Sequence, residues 1–173
     1  MPHLVAASAI YIKTSATYSK NKKYSNMKNS LLFIGGAVIS IILLVMPAQI
    51  FECLYYDTEF SNEMYNNHLY MPNALITVLA AWGVSGLFYY VINSVSFSRW
   101  YHWLLMLAAA MLVTTVAGYS YTTSVMEKMQ IDFSVQAFHF AIYEALVEAV
   151  MFIIASFGMR WWSTNCRHTP FPE

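Results

Sequence analysis

Four long apolar runs, separated by polar stretches, set the pattern of this chain: residues 31–51, 72–95, 102–121 and 138–159. Each approaches the about 20 residues that a membrane-spanning helix needs. None contains Lys, Arg or Asp, and the only acids inside them are Glu144 and Glu148 of the fourth run. At 1.5 Å per residue that run covers about 33 Å, against a hydrocarbon core of about 30 Å. The pattern predicts an all-α, polytopic membrane protein: a bundle of four transmembrane helices over residues 31–159, with no soluble domain. Residues 1–30 form an N-terminal arm and residues 160–173 a tail.

Cationic residues orient the prediction. Lys13, Lys20, Lys22, Lys23 and Lys28 precede the first run, Arg99 lies between the second and third, and Arg160 and Arg167 follow the fourth. With four crossings these eight share one side, and only Lys128 falls on the other. The positive-inside rule then places both termini in the cytoplasm, N-in and C-in. Residues 1–26 are rich in Ser, Thr, Tyr and Lys, and the apolar helix that follows Met27 resembles a natural start. A cleaved signal peptide is the competing reading of 28–48. Against it, the apolar run exceeds the 7–15 residues of a usual h-region and no A-x-A site follows.

Composition agrees. The chain is 58% apolar, 17% aromatic and 10% charged, where a soluble domain carries about 25% charged residues. Most of the surface therefore faces lipid. The net charge is zero, which gives no nucleic-acid footprint. The bilayer, a second copy of the chain or another membrane protein are the expected partners. The location is a multi-pass membrane site, most simply a bacterial inner membrane.

The connections carry less information. Residues 52–71 hold four acids, no Lys or Arg, and five aromatic rings, and read as a solvated acidic loop with an interfacial aromatic belt. His68 within that loop matches no metal-ligand spacing. Residues 122–137 read as a short interfacial segment. Cys53 and Cys166 fall at opposite ends of the bundle, beyond the about 7 Å that a disulfide allows. His102 and His139 are likewise at opposite ends and cannot share a haem iron. No cofactor or metal is expected.

Small residues mark the helix-packing faces. Gly36 and Ser40 form a small-xxx-small pair in the first run, Gly83 and Gly86 sit mid-way along the second, and Ala110, Thr114 and Gly118 recur every fourth residue in the third. Ala141, Ala145 and Ala149 form a stripe in the fourth, one residue out of phase with the glutamates. Pro47 should kink the outer third of the first run, because it lacks an N–H and clashes with the preceding turn.

Glu144 and Glu148 are the one feature that costs the chain several kcal/mol unless they are paired, protonated or wet. Their i, i+4 spacing puts them on one helix face, about 6 Å apart, and the neighbouring alanine stripe turns that face inward. No Lys or Arg is available at their depth, so at least one is expected to carry a proton. Ser40, Ser85, Thr114 and Thr115 lie at matching depth. His139 and Tyr143, nearer the outer surface, could extend a polar path to the pair. Three readings follow: helix glue in a subunit of a membrane assembly, a proton or ion site in a channel or transporter, and the acid–base pair of a membrane enzyme. The first is favoured. The third is weakest, because no nucleophile–base set, HExxH or phosphate loop is present.

Overall fold

Hydropathy and helix-ending residues decide the elements. The computed structural model describes residues 29–170, and the arm over residues 1–26 lies outside them. In chain order the helices are α1 (Asn29–Val45), α2 (Pro47–Glu52), α3 (Thr58–Asn66), α4 (Tyr70–Gly86), α5 (Trp100–Lys128) and α6 (Ser134–Met159). A π-helical turn, Leu87–Ile92, prolongs α4, and short 3-10 turns cover Val95–Phe97 and Arg160–Trp162.

Among the described residues three helices, not four, are long and apolar enough to cross a membrane: Tyr70–Ile92, Trp100–Lys128 and Ser134–Trp162. The expected four-helix bundle is corrected at its first member. Pro47 does more than kink residues 31–51; it breaks them. Met46 leaves helical geometry (φ −126°, ψ 51°) and Pro47 opens α2 at the first helical position, where its missing N–H costs nothing. The longest unbroken helix there is α1, about 25 Å at 1.5 Å per residue, short of a hydrocarbon core of about 30 Å. The orientation with both termini inside required an even number of crossings, and it lapses with the fourth span.

The three long helices pack together, with α6 against both α4 and α5. Their outer faces expose Leu79, Val91, Leu105, Leu112, Val116, Leu146 and Val150. Such continuous exposed apolar area suits a lipid solvent rather than water. α1 and α2 lie along this bundle. Phe33 meets Trp162 edge-on at 5.3 Å, near the end of α6, while Phe51 meets Phe140 at 5.2 Å, near its start.

Each end of the bundle is covered. At one, the acidic segment expected to be a solvated loop holds α3. Asp57 caps it: Phe60 N–H donates to Asp57 Oδ1 at 3.1 Å, and Asp57 N–H donates to Ser61 Oγ at 3.2 Å. Phe60 and Met64 on its inner face are buried, and the Phe60 ring meets Phe133 and Phe140, each at 5.9 Å. The turn over residues 129–133 is shorter than the expected 122–137, because α5 runs on to Lys128 and α6 starts at Ser134. Ser134 donates its N–H to the Asp132 carboxylate at 3.1 Å, and that bond holds the exposed carboxyl below its usual range.

At the other end the tail is clamped. Asn93, with φ 27°, accepts from Ser163 Oγ at 2.9 Å and Asn165 N at 3.0 Å, and donates to Thr164 Oγ1 at 2.8 Å. Tyr89 O–H donates to Thr169 O at 3.0 Å. Cys166 is buried beneath this clamp and Cys53 is exposed at the opposite end, both as free thiols; burial pushes the Cys166 thiol up.

α3 ends in a Schellman motif with His68, not glycine, in the left-handed position (φ 54°). Leu69 N–H reaches Met64 O at 2.9 Å and His68 N–H reaches Tyr65 O at 3.1 Å. A Cβ there costs about 1–2 kcal/mol, part of which glycine would return through its freer unfolded chain. His68→Gly should therefore stabilise the protein by about 0.5–1 kcal/mol, read as a higher thermal midpoint in detergent. A lower midpoint would mean that the imidazole makes a stabilising contact of its own.

Candidate functional site

The inward stripes of three helices meet on Glu144 and Glu148. α6 contributes the two carboxyls one turn apart. α5 contributes Thr114, Gly118 and Thr122, and α4 contributes Asn73 and Thr77. Every one of these side chains that has a surface to expose is fully buried. The spacing explains the convergence: i, i+4 repeats stay on one face of each helix.

Glycine at 118 is what lets the carboxyl sit there. A Cβ on Gly118 would land on the Glu144 carboxyl, 2.8 Å from its Cδ, and 2.9 Å from Asn73 Oδ1. Asn73 is tied from behind: its Nδ2 donates to Leu69 O at 2.8 Å and to Thr122 Oγ1 at 3.0 Å. Those two bonds fix which end of the amide is oxygen, and Oδ1 is turned toward Gly118. Thr77 Oγ1 lies 3.0 Å from Asn73 O and 3.4 Å from Glu144 Oε1, so its single proton favours the backbone carbonyl. Thr114 faces Glu148. Asn73 Oδ1, Thr114 Oγ1, Glu144 Oε2 and both oxygens of Glu148 have no hydrogen-bond partner. Buried polar atoms without partners are rare, and each calls for an explanation such as water, an ion or a chemical role.

The polar line stops one turn beyond Glu148. Phe152, next on the same stripe, is fully buried against the Trp103 ring at 5.6 Å. A second polar group follows: Trp103 Nε1 donates to Ser156 Oγ at 3.2 Å, and Ser156 and Ser85 share a hydrogen bond of 3.3 Å. Ser85 therefore belongs to this second group rather than to the acid pair.

The other residues singled out in the sequence are distributed as follows. Ser40 accepts from Trp82 Nε1 at 2.8 Å and donates to Gly36 O at 2.9 Å, tying α1 to α4. Thr115 donates to its own helix at Met111 O, 2.8 Å away. His139 is exposed. Tyr143 stacks on Tyr55 at 5.5 Å, on a side of α6 away from the carboxyl stripe. Gly36 faces Ile154 and Trp82, at 3.1 and 3.3 Å from a notional Cβ. Ala110 and Ala141 are buried, Ala145 and Ala149 half-buried. Gly86 approaches Met159, and Gly83 is exposed with nothing within 4 Å. Among the described residues no group of three or more His, Cys, Asp or Glu could hold a metal ion.

Asn73, Thr77 and Thr122 were not anticipated from sequence. The signal existed: an asparagine in a spanning helix is expensive, and Asn73 and Thr77 repeat the i, i+4 spacing of the glutamates.

Gly118→Ala should destabilise the protein by about 3 kcal/mol, because the fully buried Glu144 and the tethered Asn73 have no room to retreat. Adding Glu144→Ala should recover part of that loss, read as a negative coupling energy in a double-mutant cycle of detergent unfolding. Additive losses would show that the cradle and the carboxyl do not share space.

No protein-family model, curated protein sequence or solved structure matches this chain.

Proposed function

We propose that this is a multi-pass membrane protein that binds a proton or a small cation at Glu144 and Glu148 and carries it through the helix bundle. The observation that supports this reading is the set of carboxyl and amide oxygens left without partners at full burial. An ionisable residue inside a membrane span is costly to keep, and its commonest uses are ion pathways and proton relays. Helix glue alone accounts poorly for the pair. Carboxyls that only tied helices together would be held by well-formed hydrogen bonds, whereas Glu148 has the Thr114 hydroxyl beside it and no bond of ordinary geometry to either oxygen. Both carboxyls also lie inside a single chain, away from any surface a second subunit could reach.

Chemically, one carboxyl holds the ion while its neighbour, one turn away, receives it. Two charged carboxylates at that separation repel, so occupancy of one favours release from the other. α3 covers the pair from one end through Phe60 and Met64, and Phe152 covers it from the other. This arrangement corresponds to an occluded state, with passage requiring one cover to move.

Membership of a larger membrane assembly is the second reading. It is favoured by Gly83, a small residue near the middle of the Tyr70–Ile92 span that faces outward with open space before it. Such a position admits close approach by a helix from a partner or a second copy.

Glu148→Gln tests the transport reading. An amide can replace a neutral carboxyl in shape, so the variant should fold, with stability within about 1 kcal/mol of the parent. In proteoliposomes with an internal pH dye it should lose at least about 90% of the ion flux, since an amide cannot release a proton. Undiminished flux would remove Glu148 from the pathway.

A further inference from the structure

The surroundings of the acid pair hold more than a proton needs. A proton on a carboxyl needs one acceptor, and the Thr114 and Thr77 hydroxyls already stand next to the two glutamates. The amide of Asn73 is additional. Both of its N–H groups are spent on Leu69 O and Thr122 Oγ1, so what it offers the interior is a bare oxygen. Gly118 lets the Glu144 carboxyl lie against its backbone, with that amide oxygen 2.9 Å from the position a Cβ would take, so the two oxygens converge on one point. Amide, hydroxyl and carboxyl oxygens, drawn from three helices with no nitrogen or sulfur among them, are the donor set of a hard cation.

Charge limits which cation. Two acids are present, and α1, α4 and α6 carry no Lys or Arg, while the only one on α5, Lys128, stands at its end. Two ionised carboxylates one turn apart repel, so of the charge states able to hold a cation, one ionised and one neutral carboxyl costs least. A single monovalent cation then leaves the buried cluster electrically neutral, which the low dielectric of the interior demands.

We propose that Asn73, Glu144 and Glu148, with the hydroxyls of Thr77 and Thr114, form a binding site for one dehydrated monovalent cation of sodium's size at the Gly118 cradle. The proposal rests on the transport reading above and names its ion. Asn73 Oδ1 and the Glu144 carboxylate supply the primary contacts. Glu148 is the neighbouring acid whose neutral form keeps the charge balanced.

The test is thermal unfolding of the purified full chain in mild detergent, in sodium chloride and in choline chloride at equal ionic strength. A ligand that binds only the folded state stabilises it by mass action. At sodium concentrations about 100 times Kd, the midpoint should rise by about 5–10 °C over choline. Potassium should give a smaller rise. The sodium-dependent rise should vanish in Glu144→Gln, which keeps the shape but not the charge, and in Asn73→Leu. Should Asn73→Leu fail to fold, Glu144→Gln alone carries the comparison. Equal midpoints of the parent protein in sodium and choline would overturn the sodium site; proton flux that Glu148→Gln still abolishes would leave the transport reading standing. A sodium rise that survives in Glu144→Gln places the ion elsewhere and also overturns the proposal. A sodium rise confined to the parent, alongside flux indifferent to Glu148→Gln, would instead retain the site and end the transport reading.

Discussion

Burying two carboxyls with no cationic side chain beside them among the described residues is the constraint on which the rest of this structure depends. Glu144 and Glu148 lie on the central helix at full burial, and the interior around them is arranged to make that tolerable. Three helices each give a polar stripe to the same line. Glycine stands at 118 because nothing larger fits beside the Glu144 carboxyl. Asn73 is held by two hydrogen bonds from behind so that its oxygen, not its nitrogen, faces the acids. A structure under selection only for stability would replace such a cluster with apolar residues at little cost or a gain. Its presence in an otherwise apolar bundle is a cost that packing alone does not require.

The ends of the bundle follow from the same constraint. The two ends of the bundle keep water from the acids. At the α3 end Phe51, Phe60, Tyr70 and Phe140 form one buried cluster. The tail end uses Phe88, Tyr89, Trp103, Phe152 and the buried thiol of Cys166. The clamp of Ser163, Thr164 and Asn165 on Asn93 secures the tail over that second cluster.

The first apolar run shows where hydropathy reading fails. Residues 31–51 have the composition of a span, and a window average is blind to a single proline within it. Backbone geometry is not. Without an N–H at Pro47, and with its ring against the preceding turn, the helix ends at Val45 and restarts as α2. The acidic segment 52–71 is the converse case. Its charges suggested a solvated loop, but Phe60 and Met64 recur at helical spacing behind an Asp57 cap, and that face docks on the bundle.

Local chemistry was legible in the chain: the membrane class, the three long helices and the placement of both glutamates on one inward face. Hydropathy and the 3.6-residue repeat act over a few turns, so each is written in consecutive residues. Which residues the glutamates would meet was decided only by tertiary packing. Thr77 and Glu144 are 67 positions apart, and Asn73 and Thr122 are 49. Depth matching narrows the partners to a turn of each helix, and on that basis Thr114 is found but Ser40 and Ser85 are drawn in as well. The rotation of each helix about its own axis selects among them, and it is set by side chains interlocking across the whole length of the bundle, a property of the packed interior and of no single stretch of sequence.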